Sequence, residues 1–392
     1  MGAELVYEAV TRRRTYRLND AVTNINLGAL DQLTGTFTQV LKVGVYTVVY
    51  EQLRLVEIPA TWWSFMVLFV LWDLCYYWSH RMAHEVSLFW GGHVVHHQSE
   101  EFNLSVALRQ SSTSFLWSIP FYLPLAILGF SPIHFLLAGG LNLLYQFWIH
   151  TEHIGRLGPL EWVMNTPSHH RVHHGRDPKY LDRNYAGVFI VWDRMFGTFQ
   201  NEEERPHYGI TKPLASWNPV YANAAHYMDL VRSLRDVRSL GDGIRMLFGP
   251  PGWRPAYMGG RQTPPPVTAD HEKYDVSVST RARVYLTVQF VALMGPVALY
   301  LFQYASMSLV LKGSFATWVV CSTLLFAFLF ESRHPGVRIA ETGRLLCLLP
   351  GMWWLQQAGL IPAAIWPVVA TAGFVAVSIV YVWRSYSTDG AV

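Results

Sequence analysis

"PATWWSFMVLFVLWDLCYYWSHRMAH", residues 59–84, decides the fold. Its first part, 59–79, matches the roughly 20 apolar residues needed to cross a bilayer core as a helix. Trp62 and Trp63 at one end, and Tyr76, Tyr77 and Trp78 at the other, form the aromatic belts of an interface-to-interface span. As the apolar run ends, the helix delivers His80 and His84, one turn apart, on one face. The expected fold class is all-α: an integral membrane helical bundle with a histidine-rich site at one membrane face.

The rest of the chain agrees with a membrane setting. Of 392 residues, 51% are hydrophobic and only 15% charged. The net charge of +3 gives no case for a nucleic-acid partner. Arg12, Arg13 and Arg14 in "TRRRTYR" (11–17) suit either an anionic lipid surface or a solvated arm. Cys75, Cys321 and Cys347 lie far apart in apolar stretches and read as small core residues. The N-terminus shows no positive flank with an apolar run and cleavage site, so no signal peptide is expected.

Residues 27–50 suggest an amphipathic interfacial helix. A polar stretch, 80–112, follows the first span. Apolar runs at 113–130 and 133–149, joined by "FSPIH" (130–134), predict a membrane hairpin. The hairpin would return His150 to the face on which His80 emerges. Residues 151–282 are the most polar part, and 248–282 is a Pro/Gly-rich linker by composition. The expected domains are 1–247, carrying the chemistry, and 283–392, a second membrane domain. The latter holds apolar runs near 284–303, 307–330, 343–358 and 361–383, with few polar groups and no cluster. Arg81, Arg156 and many basic residues in 171–283 put the histidine face in the cytoplasm.

Twelve of the 16 histidines lie between His80 and His174. Their spacing carries the argument. His80 and His84 are i, i+4. His93, His96 and His97 are i, i+3, i+4, as are His170, His173 and His174. His150 and His153 are i, i+3. Imidazoles stacked a turn apart on a helix can converge on one ion. These ten exceed what a single first-row ion can bind, so two adjacent ions are expected. Spacing alone leaves Zn, Cu, Fe and Ni open. Leu88 stands where an HExxH zinc site needs its second histidine. His134, at the far end of the hairpin, is expected to bind nothing, and His207, His226, His271 and His334 stand alone.

The series HxxxH, HxxHH, HxxHH resembles the fatty acid hydroxylase and sterol desaturase superfamily. The segments carrying the resemblance include "YYWSHRMAHEVSLFWGGHVVHHQSEEFNLSVALRQS" and "NTPSHHRVHHGRD", and it runs from about Leu18 to Pro219. It implies a di-iron centre that activates O2 and hydroxylates a C–H bond of a lipid, within the branch acting on alkylglycerol ether lipids. By motif position the ligands are His80, His84, His93, His96, His97, His170, His173 and His174, with His150 a ninth; His153 fits by spacing. The resemblance also implies a reductant of the tetrahydropterin kind. A sterol or fatty-acyl desaturase would share the metal site. A histidine-lined metal transporter is the alternative from another class.

Four polar residues near the motifs are candidates to orient or serve that site. Glu152, Asp182 and Asn184 could each accept the second N–H of a ligand imidazole. Asp73, two turns before His80 in a membrane span, suggests an imidazole partner, a proton path or a helix-to-helix hydrogen bond. His169, just before the last HxxHH set, is a candidate outer neighbour.

Overall fold

A computed structural model of the chain describes residues 1–267, 271–331 and 335–385; His334 lies outside them. Every regular element among the described residues is helical, with only isolated bridges such as Met164 to Phe189. The chain divides into two compact units: Met1–Ala215 with Tyr221–Tyr274, and Ser216–Val220 with Asp275 onward.

The first unit begins with α1 (Gly2–Thr11) and the long α2 (Leu18–Leu53), then α3 (Trp62–Glu85). A reciprocal cap starts α3: Ser64 N donates to Thr61 Oγ1 at 3.2 Å, and Thr61 N to Ser64 Oγ at 3.0 Å. Two four-residue helices, α4 (Ser87–Trp90) and α5 (Val94–His97), carry the polar stretch. The hairpin is α6 (Phe115–Leu128) and α7 (Pro132–Trp148). Its turn is built from Gly129, at φ 105°, and Pro132 at the start of α7. A Cβ at Gly129 would sit 1.9 Å from the Val56 carbonyl oxygen, so the turn closes only with glycine there. Shorter helices follow: α8 (Pro167–His173), α9 (Val191–Phe196), α10 (Pro219–Leu234) and α11 (Leu240–Phe248).

Four of these helices share one core. Tyr46 and Tyr50 of α2, Leu68 and Trp72 of α3, Leu125 and Ala126 of α6, and Ala138 of α7 pack together with Phe130. Because α3 and α7 run the same way, His80 and His150 reach the same end of the bundle, as the hairpin argument expects. α2 starts nine residues before the expected 27, because its polar first turns are partnered inside the protein. Asn24 Nδ2 donates to Asp20 Oδ2 at 2.9 Å and to Ser105 Oγ at 3.0 Å.

Asp73 ties this core together. It is fully buried and accepts four hydrogen bonds: from Asn142 Nδ2 at 2.7 Å, Val188 N at 2.8 Å, Phe189 N at 2.9 Å and Trp192 Nε1 at 2.9 Å. Of the roles expected for it, the structural one matches these contacts, and no imidazole is among its partners. The acid lashes α3 to α7 and to the loop that enters α9.

The second unit holds α12 (Thr280–Gln303), α13 (Leu309–Glu331), α14 (Pro335–Leu346), α15 (Leu348–Gln357) and α16 (Ile365–Ser385). Among the described residues, three helices are long and apolar enough to cross a membrane: Thr280–Ser306, Leu309–Glu331 and Ile365–Arg384. The expected run at 343–358 is broken between α14 and the ten-residue α15. Nor is this unit free of polar clusters. Arg344 donates to Glu341 at 2.7 Å and to Gln289 Oε1 at 2.6 Å, and Gln289 Nε2 donates to Ser378 Oγ at 2.8 Å, all buried. Single apolar runs hid this network because its members lie on three helices.

α3 does not reach the hydropathy of those three helices, since its belts of Trp and Tyr favour the interface over the hydrocarbon. At about 1.5 Å per residue, α6 and α7 are also shorter than a roughly 30 Å core.

Candidate metal centre

Nine imidazoles converge in two sets. His80, His84, His93, His97 and His173 form one, and His96, His150, His170 and His174 the other. Within each set the ligand nitrogens lie within 4.8 Å of one another. The two sets adjoin, with the rings of His97 and His174 stacked at 4.4 Å.

Each HxxHH box feeds both sets, in opposite senses. From 93–97 the i and i+4 residues join the first set and His96 the second. From 170–174 the i and i+4 residues join the second set and His173 the first. Helical geometry accounts for this. Residues i and i+4 lie on one side, whereas i+3 and i+4 point about 100° apart. One short helix can therefore serve two neighbouring centres.

Backbone carbonyls orient the rings. His80 Nδ1 donates to the Tyr185 carbonyl at 2.7 Å, His96 Nδ1 to Arg109 at 3.0 Å, His150 Nδ1 to Gln146 at 2.8 Å and His173 Nδ1 to Arg183 at 2.9 Å. A carbonyl only accepts, so these Nδ1 atoms hold the protons and each Nε2 presents a lone pair. The Nε2 atoms of His96 and His150 nevertheless lie 3.2 Å apart. Two lone pairs at that distance repel unless a cation draws both. His84 and His173 also turn buried Nε2 atoms inward with no hydrogen-bond partner. The donor set fits two cations held by neutral imidazoles.

The surroundings disfavour protonation at seven of these rings. Burial, with the neighbouring imidazoles adding to it, drives His93, His97, His150, His170, His173 and His174 well below the usual histidine value. Burial brings His96 from 6.5 to about 4. A histidine with a lowered native value binds its proton first in the unfolded chain. Stability of the metal-free protein is therefore expected to hold above pH 6.5 and to fall as pH drops from 6.5 towards about 4. The thermal midpoint of metal-stripped protein across that window checks this; a flat profile would contradict it.

Apolar rings close the cage. Trp90 lies 4.9 Å from His84, Phe102 5.1 Å from His174 and Tyr185 5.3 Å from His84, centroid to centroid. Arg171, inside "HHRVHH", points away from the histidines. It pairs with Glu202 at 2.7 Å and donates to the Thr151 and Ile154 carbonyls at 3.0 and 2.7 Å, fastening the segment after His150 to α8.

His153 is not part of the cage. Its Nε2 lies 3.4 Å from Glu8, and its ring packs on Tyr7 at 4.9 Å. α7 ends at Trp148, so the i, i+3 spacing from His150 carries no helical meaning. His134 is further away still in role, with Nδ1 2.8 Å from Ser131 Oγ at the hairpin turn. Alanine at His134 or His153 is expected to leave the metal content unchanged, as elemental analysis of the purified variants would report.

The polar candidates divide. Asp182 comes within 3.5 Å of His84 Nδ1. Asn184 instead braces backbone: its Nδ2 donates to the His169 and Gln200 carbonyls at 3.1 and 2.8 Å. Both adopt left-handed φ, 57° and 55°, which Asp and Asn tolerate better than most residues. Glu152 accepts from the Tyr208 hydroxyl and pairs with Arg205 at 3.1 Å, so it orients no imidazole. His169 packs edge-on to Phe199 at 5.4 Å.

Sequence reasoning missed the true partners of the rings because every residue carries a carbonyl. Gln146 alone was traceable, as the i−4 carbonyl a helix end leaves open. Asp193 was missed too. It accepts from Tyr185 N and Ala186 N at 2.8 Å each, and so holds the carbonyl on which His80 rests.

Residues 65–198 match the fatty acid hydroxylase family model. The chain is 38% identical to human alkylglycerol monooxygenase over 338 residues, covering 85% of this chain and 75% of that protein. It is 35% identical to the Danio rerio alkylglycerol monooxygenase over 374 residues, covering 93% and 81%. An ornithine lipid hydroxylase from Rhizobium tropici is 31% identical over 126 residues, or 32% of this chain and 38% of that protein. No solved structure matches.

Proposed function

The chain belongs to the fatty acid hydroxylase family, and from that premise we propose that it is an O2-dependent monooxygenase with two irons in the histidine cage, acting on an ether lipid of the alkylglycerol type. At the broader level it is an oxidoreductase, a membrane lipid hydroxylase of that superfamily. The cage, five and four imidazoles in adjoining sets with lone pairs facing inward, supports the two-metal part of this reading, and the similarity to alkylglycerol monooxygenases supports the ether-lipid part.

Iron, when bound, supplies the oxidising power that no side chain has. The chain's own residues do the rest. His80, His84, His93, His97 and His173 would hold one ion, and His96, His150, His170 and His174 the other. The carbonyls of Tyr185, Arg109, Gln146 and Arg183 keep those rings aimed. Trp90, Phe102 and Tyr185 exclude water. Asp182 lies nearest the outer nitrogen of His84 and is the carboxylate best situated to strengthen it as a ligand. Tyr76, with its ring 5.2 Å from His80, is the side chain that an alkyl chain following α3 would meet below the cage. We assign 1–247 to this chemistry, 248–282 to a linker and 283–392 to a membrane domain. The cage faces the cytoplasm by its flanking arginines, and electrons come from a separate reductant, a tetrahydropterin by family resemblance.

The test is product analysis. Purified protein in lipid discs, with reductant and 18O2, receives an alkylglycerol, a fatty acid or a sterol. We expect about two irons per chain, one for each set, and heavy oxygen in the alkylglycerol product. Desaturated sterol without labelled alcohol would replace the ether-lipid reading with the desaturase one. Metal exchange without O2 uptake would point to a transporter.

A further inference from the structure

α1 is built inside out. Its buried side chains are the two acids, Glu4 and Glu8, one turn apart. Leu5, Val6 and Val10 are 51%, 66% and 78% exposed. An ordinary surface helix does the reverse.

The acids are held. Glu4 accepts from Thr151 Oγ1 at 2.6 Å, from Leu104 N at 3.1 Å and from the Tyr16 hydroxyl. Glu8 accepts from Thr15 N at 2.8 Å. The seat of α1 is thus the segment that follows His150 and the one that follows Phe102. Immediately after the helix, Arg12, with φ 58°, turns the chain, and Arg12, Arg13 and Arg14 are all exposed. The described residues provide no ion-pair partner for any of the three.

We infer that α1 with Arg12–Arg14 is an interfacial anchor that binds the anionic headgroups of a bilayer, its apolar face dipping among the acyl chains beside the histidine cage. Charge selects this occupant. An apolar face flanked by three unpaired arginines complements a negatively charged lipid surface. The polar face is already taken up by the protein, so the helix cannot turn its apolar side inward without unseating Glu4 and Glu8. The inference does not depend on iron, O2 or the lipid oxidised.

The experiment uses the full chain in nanodiscs, with Cys75→Ala, Cys321→Ser and Cys347→Ser, and a nitroxide on Val10→Cys. A second label at Val6→Cys guards against a local artefact. Collision of the label with O2 and with a water-soluble nickel chelate reports its surroundings. In discs containing phosphatidylglycerol, O2 is expected to dominate. R12Q, R13Q and R14Q should weaken that preference roughly fivefold per charge removed. High salt should do the same, because the screening length shrinks from about 10 Å at 0.1 M to about 3 Å at 1 M. A water-like label in every disc overturns the inference. So does a buried label indifferent to lipid charge, or one buried only as protein concentration rises, which would mean a second copy covers the face. Because metal-free protein serves equally, failure here is distinguishable from failure of the proposed oxygenase chemistry.

Discussion

If the proposed pair of metal ions is held as assigned, replacing His96 with alanine is expected to abolish activity and remove one of the two, while the protein still folds and inserts. His96 belongs to the set of four, so its loss leaves three imidazoles where the other set keeps all five. It is also the ring whose Nε2 lies 3.2 Å from that of His150, the pair whose mutual repulsion only a shared cation relieves. Losing an outer partner of a metal ligand costs roughly 10–100-fold in affinity or activity; losing the ligand itself should exceed that. The fold should survive, because His96 contributes one hydrogen bond outside the cage, to the Arg109 carbonyl. Arg109 keeps its other anchors, donating to the Val95 carbonyl at 2.6 Å and to Asn24 Oδ1 at 2.9 Å. Iron analysis and turnover on the same preparation check this, with His134→Ala alongside. Full iron and full turnover in the His96 variant would end the assignment of the second set.

Asp73→Ala should act on the other axis, stability. The carboxylate accepts from two backbone amides, an asparagine and a tryptophan, with no exposure to water. Alanine leaves four donors unanswered, those of Asn142 and Val188 buried and those of Phe189 and Trp192 half-buried. At about 1–3 kcal/mol for each unsatisfied donor, the sum approaches the whole stability of an ordinary domain. Loss of folded protein after detergent extraction is the expected readout. Asp73→Asn should recover only part, because the amide replaces one accepting oxygen with a donor that faces other donors. A variant with a wild-type melting midpoint would show that the loop from Val188 to Trp192 is held by something else. Two turns before His80 and with no imidazole among its partners, Asp73→Asn should lower stability before it changes iron content.

The site was legible in the sequence to the extent that it is periodic. HxxxH and HxxHH announce imidazoles on one helical face whatever surrounds them, and "FSPIH" announces a reversal. Ten histidines were too many for one ion, which suggested two. The sequence could not say that His153 stands apart, since helical spacing was assumed across a point where α7 had ended. Nor could it say that Glu152 and Asn184 serve other partners. A carboxylate or amide close in sequence to a ligand is free to swing towards any neighbour, and Tyr208, Arg205 and Gln200 come from later in the chain.

By itself, then, the sequence indicated the apolar hairpin and, by helical spacing, ten candidate imidazoles of which nine converge, because each follows from local backbone period or composition. Tertiary structure alone decided which ring joins which set, that the Tyr185, Arg109 and Arg183 carbonyls aim three of them, and why Asp73 is buried. Several of these depend on distant segments, such as His80 with Tyr185 and Asp73 with Val188, meeting in space. A one-dimensional pattern holds no record of that meeting; only the packing of α3, α7 and the loop before α9 creates it.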